Sequence, residues 1–556
     1  MKKLISILMA AVLVTATFAG CSRTKENINI VYPFSANVNS YDPQVAATGD
    51  EYLIIENTFE GLVRLDADGK IIKGAAEKWD ISADGLTYTF DIKKGLKWNI
   101  NTEKDSDGKY KDSRLEMMGK EFNPDITADD FVFGLRRAVM PETDCPLFSS
   151  IANIKNATEI RSGKMKSTSL GVTAVDKYTL QIQLEKQDKD FLQELTCAAA
   201  MPCNEEFFKA TNGRYGLDTK YILFNGQFYL KQILESSYLL KCNDYYKGDN
   251  PTKVNELALK ILNDENKNDV IKNLESGYYD AAFINGDESN LLSNKDITSL
   301  PYIDTTWAFI LNTKNEILSN KNIRKAFCLG FTKANDKAKK YLSPATNLIP
   351  PSCTIGGNNA IKAIGSTCTK QNVLKSTDIW SKEIAQLENT EIEITVLTDN
   401  NMEDSTKQML SGIQEGIGTS LKNKNGDTIA FSLKVEVVDE DELKSRVSSG
   451  DYDIALYPFK ADNQSPISYL QGFADKNLTG FDTAQLKRSI KNANTGGTLN
   501  KIADSIGGAE KAVINSYSVC PMLYETSYYV CAKGVDGIIF HPGTGRVNFV
   551  NTVRNE

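Results

Sequence analysis

The stretch EIEITVLTDNNMEDSTKQMLSGIQEGIGTSLKNKNGDTIAFSLKVEVV, residues 391–438, decides the fold class. Ile392, Ile394 and Val396 alternate with polar residues, the period of a half-buried strand. Met409, Ile413, Ile417 and Leu421 then recur every fourth residue, the stripe of an amphipathic helix. Leu433, Val435 and Val437 restore the alternation. Strand, helix, strand in that order predicts a βαβ unit and an α/β architecture with a mixed sheet.

Working outward, the same grammar covers the chain. Ile310 to Thr313 ends a strand, and Ile323, Ala326 and Phe327 form a helical stripe. Asn225-Gly226 makes a turn into strands Phe228–Ile233 and Tyr238–Cys242. Tyr178, Leu180, Ile182 and Leu184 alternate, and Phe191-Leu192 begins a helix. Thr127-Ala128-Asp129-Asp130 has the capping-box form and opens a helix with Phe131, Leu135, Ala138 and Val139 on one face, stopping at Pro141. Residues 101–120 are charged and aperiodic, which predicts a surface loop. Asp66-Ala67-Asp68-Gly69 and Ala83-Asp84-Gly85 are hairpin signals, the second followed by alternating Leu86, Tyr88, Phe90 and Ile92. The last 40 or so residues read as strands. No repeat or flexible linker separates these segments, so domains joined by strands that cross more than once are expected.

With 556 residues the chain is too long for one ordinary core, and two or three domains are expected. Its 72 acidic and 64 basic residues give a formal charge of −8, with no basic run of the kind that captures nucleic acid. Lys2 and Lys3 precede an uncharged run from Leu4 to Phe18, shorter than the ~20 residues of a membrane span and right for a signal peptide. Thr17-Phe18-Ala19-Gly20-Cys21 resembles a lipoprotein processing box, which implies a lipid on Cys21 and a tether over 21–25. Phe18 departs from the usual Leu. Cysteines number ten, leaving nine beyond Cys21, an odd count. Cys520 and Cys531 read as neighbours on two adjacent strands and are a plausible disulfide, although connectivity does not follow from sequence.

Catalytic chemistry has little to stand on. His541 is the one histidine, and His541-Pro542-Gly543-Thr544-Gly545 reads as a turn between C-terminal strands. Nucleophile elbows, phosphate loops and metal-ligand spacings are missing from the sequence. Paired carboxylates such as Glu403 with Asp404, or Asp439 with Glu440 and Asp441, are adjacent in sequence only, and glycoside hydrolysis needs two across a cleft. No metal, cofactor or enzymatic activity is expected.

Several segments together resemble the family-5 extracellular solute-binding proteins, which include the oligopeptide-binding proteins of ABC importers. They are Phe59 to Asp66, Ala75 to Trp79, Asp84 to Phe90, Lys94 to Trp98, and Thr127 to Phe131 with Arg137. Leu170-Gly171-Val172, Asn225 to Phe228, Asn312-Thr313, Ile323 to Ala326 and Gly450 to Ala455 follow, in family order. Gln227 departs from the usual proline. The resemblance implies a two-lobed clamp of the periplasmic-binding-protein type (type II-like) with an extra third domain. Lobe I would be 26–60, 181–300 and 519–556, domain II 61–180 and lobe III 301–518, behind a signal peptide of 1–20.

Tyr457 to Pro466 resembles the loop whose aspartate receives a peptide's α-ammonium, which implies that role for Asp462. A buried ammonium needs a charge partner, and a carboxylate supplies both charge and direction. Asn37 and Val38 on one lobe and Phe459, Lys460 and Ala461 on the other would offer strand edges to the peptide backbone. Some members carry an arginine for the peptide carboxylate where this chain has Leu456, so that anchor lies elsewhere or the ligands differ. The resemblance implies a monomeric extracytoplasmic lipoprotein on the cell membrane or in a periplasm, handing oligopeptides to ABC permease subunits. Nickel chelates, sugars, peptide sensing and surface hydrolysis remain as alternatives.

Overall fold

The computed structural model describes residues 28–118, 121–263, 265–293, 296–332, 334, 339–355, 358–417, 421–461, 465–494, 499–541 and 546–555. The signal segment, Cys21, the tether and Asp462 lie outside the described residues.

β1 (Ile28–Phe34) opens the fold. β2 (Ala76–Ile81), β3 (Thr87–Ile92), β4 (Val172–Asp176) and β5 (Thr179–Gln183) form an antiparallel sheet in the order β2-β3-β5-β4. β6 (Phe228–Leu234), β7 (Ser237–Cys242) and β8 (Val254–Ile261) join β1 in a second four-stranded sheet, where β1 runs parallel to β8. The third sheet contains β9 (Ala281–Ile284), β10 (Thr298–Leu311), β11 (Glu391–Asp399), β12 (Ala430–Val438), β13 (Ile454–Lys460) and β14 (Val519–Cys531). Their order is β9-β14-β10-β13-β11-β12, with Leu342–Pro344 added on β14.

The predicted βαβ unit is present. β11 and β12 are parallel and the helix Glu403–Ile417 connects them, while β10 and β13 are antiparallel, so the sheet is mixed. The stripe ends one turn earlier than expected: Leu421 lies beyond the helix, four residues after its last residue. The capping box at Thr127 opens the helix Ala128–Ala138, and Pro141 starts a separate short turn rather than ending the helix itself. Residues 101–120 are less loop-like than their composition suggests. Asp112 caps a single helical turn, Ser113–Met117, that drives Leu115 into the core, a run too short to register as a period.

β10 and β14 carry the architecture. They pair from Thr298↔Cys531 to Ile310↔Val519, with register shifts between Tyr302 and Thr305 and between Trp307 and Ala308. Tyr302 and Tyr529 belong to the large core formed with the first two sheets. Beyond the shifts, alternate residues face opposite sides of the third sheet: Ala308, Ile310 and Val519 into one core, Trp307, Phe309 and Cys520 into another. Two adjacent strands thus pass from one core system to the other.

The expected Cys520–Cys531 pairing is overturned. Both residues lie on the single strand β14, at roughly 3.3 Å per residue far too distant to bond. Cys520 is instead joined to Cys328 of the helix Lys321–Gly330, with Cα atoms 5.8 Å apart, and Cys531 is a free thiol. The two apolar runs either side of Thr526 belong to one continuous strand.

Candidate functional site

Phe459, Lys460 and Ala461 lie at the end of β13 where β10 crosses between the cores. Antiparallel pairing matches Thr306 with Phe459 and Thr305 with Lys460, and the Ala461 N–H donates to the Asp304 carbonyl at 2.8 Å. Antiparallel strands alternate bonded and non-bonded pairs. Phe459 and Ala461 therefore spend their backbone groups on β10, and the main-chain groups of Lys460 and the carbonyl of Pro458 point the other way. On that side β11 pairs with β13 at Ile454 and Ala455 only. From Tyr457 to Lys460, β13 is an edge strand among the described residues.

The surroundings of this edge are acidic and aromatic. Asp304 is 3% exposed, takes a hydrogen bond from its neighbour Thr305 Oγ1 at 2.9 Å, and stands 3.7 Å from the exposed Lys460 ammonium. Across β14, Glu525 accepts from Trp307 Nε1 at 2.7 Å. Burial pushes the Glu525 carboxyl above its ordinary value, opposed only in part by that bond. Asp304 and Glu525 are far apart in sequence and become neighbours through strand pairing alone, so nothing in the sequence pointed to them. Leu456 is fully buried opposite Phe309.

Asn37 and Val38 sit on the other core, in the loop after β1, and their backbone is largely committed. The Asn37 N–H donates to Asp50 Oδ2 at 2.8 Å, the Asn37 carbonyl accepts from Thr48 Oγ1 at 2.6 Å, and the Val38 N–H donates to the Ala36 carbonyl at 2.9 Å. Ala36 turns the chain in the left-handed region at φ 59°. Glu51 clamps the loop from below: its two carboxylate oxygens accept the N–H groups of Asn39, Ser40, Ala47 and Thr48 at 2.6–3.0 Å. Burial alone would raise the Glu51 carboxyl, but these four donors hold it below its ordinary value. The signal was in the sequence, since Thr48-Gly49-Asp50-Glu51 has the capping-box form and opens the helix Gly49–Thr58. In this structure Lys460 offers an open main-chain edge, whereas Asn37 offers a braced loop.

Among the described residues no group of three His, Cys, Asp or Glu side chains is placed to hold a metal ion, and no helix is long and apolar enough to cross a membrane. His541 ends a short strand, Ile539–His541, opposite Arg546, and is itself buried.

Two α/β core systems joined by two crossing strands, with a third sheet-bearing domain, make a clamp of the periplasmic-binding-protein class. The chain belongs to the bacterial extracellular solute-binding proteins, family 5, whose model matches residues 70–480. The dipeptide-binding protein DppE of Bacillus subtilis is 25% identical over 515 residues, covering 90% of this chain and 88% of that protein. The oligopeptide-binding protein OppA of the same organism is 25% identical over 558 residues, covering 95% and 92%. Among solved structures, the substrate-binding domain of an oligopeptide ABC transporter from Bacillus anthracis has a TM-score of 0.70 at 24% identity, covering 96% of this chain and 99% of that one. OppA of Listeria monocytogenes bound to peptide also reaches 0.70, at 22% identity with coverage of 96% and 100%.

Proposed function

We propose that this protein captures oligopeptides between its two core systems and delivers them to the permease of an ABC importer, without chemical turnover. The observation that carries the reading is the open edge of β13 at Lys460, beside the strands that cross between the cores. An extended peptide can add there as a strand, and main-chain pairing accepts many sequences. The peptide-binding character of the relatives supports the same conclusion. Asp462, next after Ala461, is the proposed receiver of the peptide's α-ammonium, and Phe459, Lys460, Ala461, Asn37 and Val38 its proposed neighbours.

The proposal extends to the organisation of the chain. Lobe I would comprise 26–60, 181–300 and 519–556, domain II 61–180 and lobe III 301–518; the 300/301 boundary lies within β10 and the 518/519 boundary just before β14. A monomer held outside the cytoplasmic membrane by a lipid on Cys21 would present the cleft to its permease. The test is mass spectrometry of small molecules released by acid from the purified mature chain, repeated on Asp462→Asn. Short peptides that vanish in the variant support both the class and the anchor. Peptides retained by the variant remove the anchor, and a chain that yields and takes up no peptide overturns the reading.

A further inference from the structure

β13 turns two aromatic rings to one face, Tyr457 and Phe459, with centroids 5.2 Å apart. Phe473 of the helix Pro466–Lys476 packs tilted against Phe459, with ring centroids 4.6 Å apart. Between this aromatic wall and the helix Glu440–Ser449 lies a cavity of about 400 Å³ that reaches the Lys460 edge. Three lysines from three separate elements line it: Lys444, Lys460 and Lys476. Among the described residues no aspartate or glutamate does.

The cations differ in how far they are already neutralised. Lys444 pairs with Glu440 at 2.6 Å, and Lys460 stands 3.7 Å from Asp304, beyond hydrogen-bond distance. Lys476 has no ion-pair partner among the described residues.

We infer that the cavity is an anion-reading subsite, which receives a carboxylate of the ligand, either an acidic side chain or the C-terminal carboxylate. The inference rests on the peptide reading above. Its volume is at the small end of the ~300–1,000 Å³ of ligand pockets, room for one or two residues rather than a whole peptide. Aromatic walls exclude water and strengthen an ammonium–carboxylate contact relative to the open surface. Charge and shape therefore agree on an acidic group carried on an extended chain whose backbone pairs at Lys460.

The test is competition binding on the full mature chain with two randomised pentapeptide pools, one with free C-termini and one amidated, read by mass spectrometry. The wild type is expected to enrich peptides bearing Asp or Glu over those bearing Asn or Gln, or free over amidated ends, by about fivefold, the worth of a partly exposed ion pair. The two arms tell a side-chain carboxylate from a terminal one. In Lys444→Gln/Lys476→Gln that enrichment should fall to about one, and the single Lys476→Gln serves if the double variant does not fold. Peptide uptake without enrichment in the wild type overturns the subsite alone. So does an enrichment that survives the substitutions, or a variant that loses acidic and neutral peptides alike. Unchanged enrichment with impaired delivery in cells would assign the groove to the permease and likewise overturn the inference. No peptide uptake by the wild type overturns the functional reading together with it.

Discussion

Asp130 and His541 are both buried and pull stability in opposite directions over the same pH range. Asp130 accepts the Thr127 N–H at 2.8 Å and the Asn204 amide at 3.0 Å, yet burial pushes its carboxyl up to about 7. Its contribution is therefore present at low pH and lost as the pH rises from ~4 through about 7. Burial, and then Arg546, hold the His541 imidazole down to about 4, with Asp66 pulling the other way and Arg64 adding least. That contribution is present above ~6.5 and lost as the pH falls through about 4. Against wild type, Asp130→Asn is expected to make urea-derived stability climb more steeply from pH 4.5 to 6.5, and His541→Gln less steeply. Each difference is on the order of a few kcal/mol at about 1.4 kcal/mol per pKa unit. Curves that stay parallel to wild type would contradict both. Arg137 makes a second residue-scale case: it meets Asp42 at 2.5 and 3.1 Å and Gln44 at 2.8 Å, with both charged side chains almost wholly buried. Arg137→Met strands the Asp42 charge and should cost about 3–5 kcal/mol in urea unfolding. Adding Asp42→Leu should recover much of that, and a double variant as weak as the single would argue against charge stranding. The Asp130 cap was legible in the sequence because its partner Thr127 is three residues away. The Arg137–Asp42 pair was not, since 95 residues separate its members.

At the scale of elements, the disulfide between Cys328 and Cys520 ties the helix Lys321–Gly330 to the crossing strand β14 over a separation of 192 residues. A cross-link of that span limits the unfolded chain, and removing it should cost about 2–5 kcal/mol. Thermal unfolding is expected to fall on adding a reductant in the wild type and to be indifferent to it in Cys520→Ser; equal sensitivity in both would show that another pair carries the effect. Reading this pair from sequence failed for a reason that applies to strands generally. Alternation reports which face a residue takes, as at Ile392, Ile394 and Val396, but not how long a strand runs or which strand lies beside it. Hence the β11–helix–β12 unit was legible nearly to its ends, while β14 was read as two strands. The open edge at Lys460 has the same history. Its location in the chain could be named from resemblance, but the finding that Lys460 and Pro458 face outward while Phe459 and Ala461 bond to β10 needed the register.

For the whole molecule, what matters is that two neighbouring strands of one sheet, β10 and β14, run from one core system into the other, and that their pairing slips at the passage. The slip between Tyr302 and Thr305 is tertiary and has no sequence signature. A register shift breaks the ladder locally, so bending there disturbs fewer hydrogen bonds than bending elsewhere along the pair. Close packing resists deformation within the cores on either side, so closure would draw on compliance at this crossing. If a peptide pairs with Lys460 and is then enclosed, closure must bring the two core systems together about these strands. Small-angle scattering is expected to show a smaller radius of gyration with a bound peptide pool than without. Thermal unfolding should rise in step with ligand concentration, by the equivalent of about 2.7 kcal/mol at a hundredfold excess over Kd. Pro substitution at Thr305, whose position pairs with both Lys460 and Glu525, removes a backbone donor and fixes φ at the crossing. If the crossing is the hinge, that variant should lose the ligand-dependent compaction while its fold, followed by far-UV circular dichroism, survives. Full compaction in the folded variant would move the hinge away from β10.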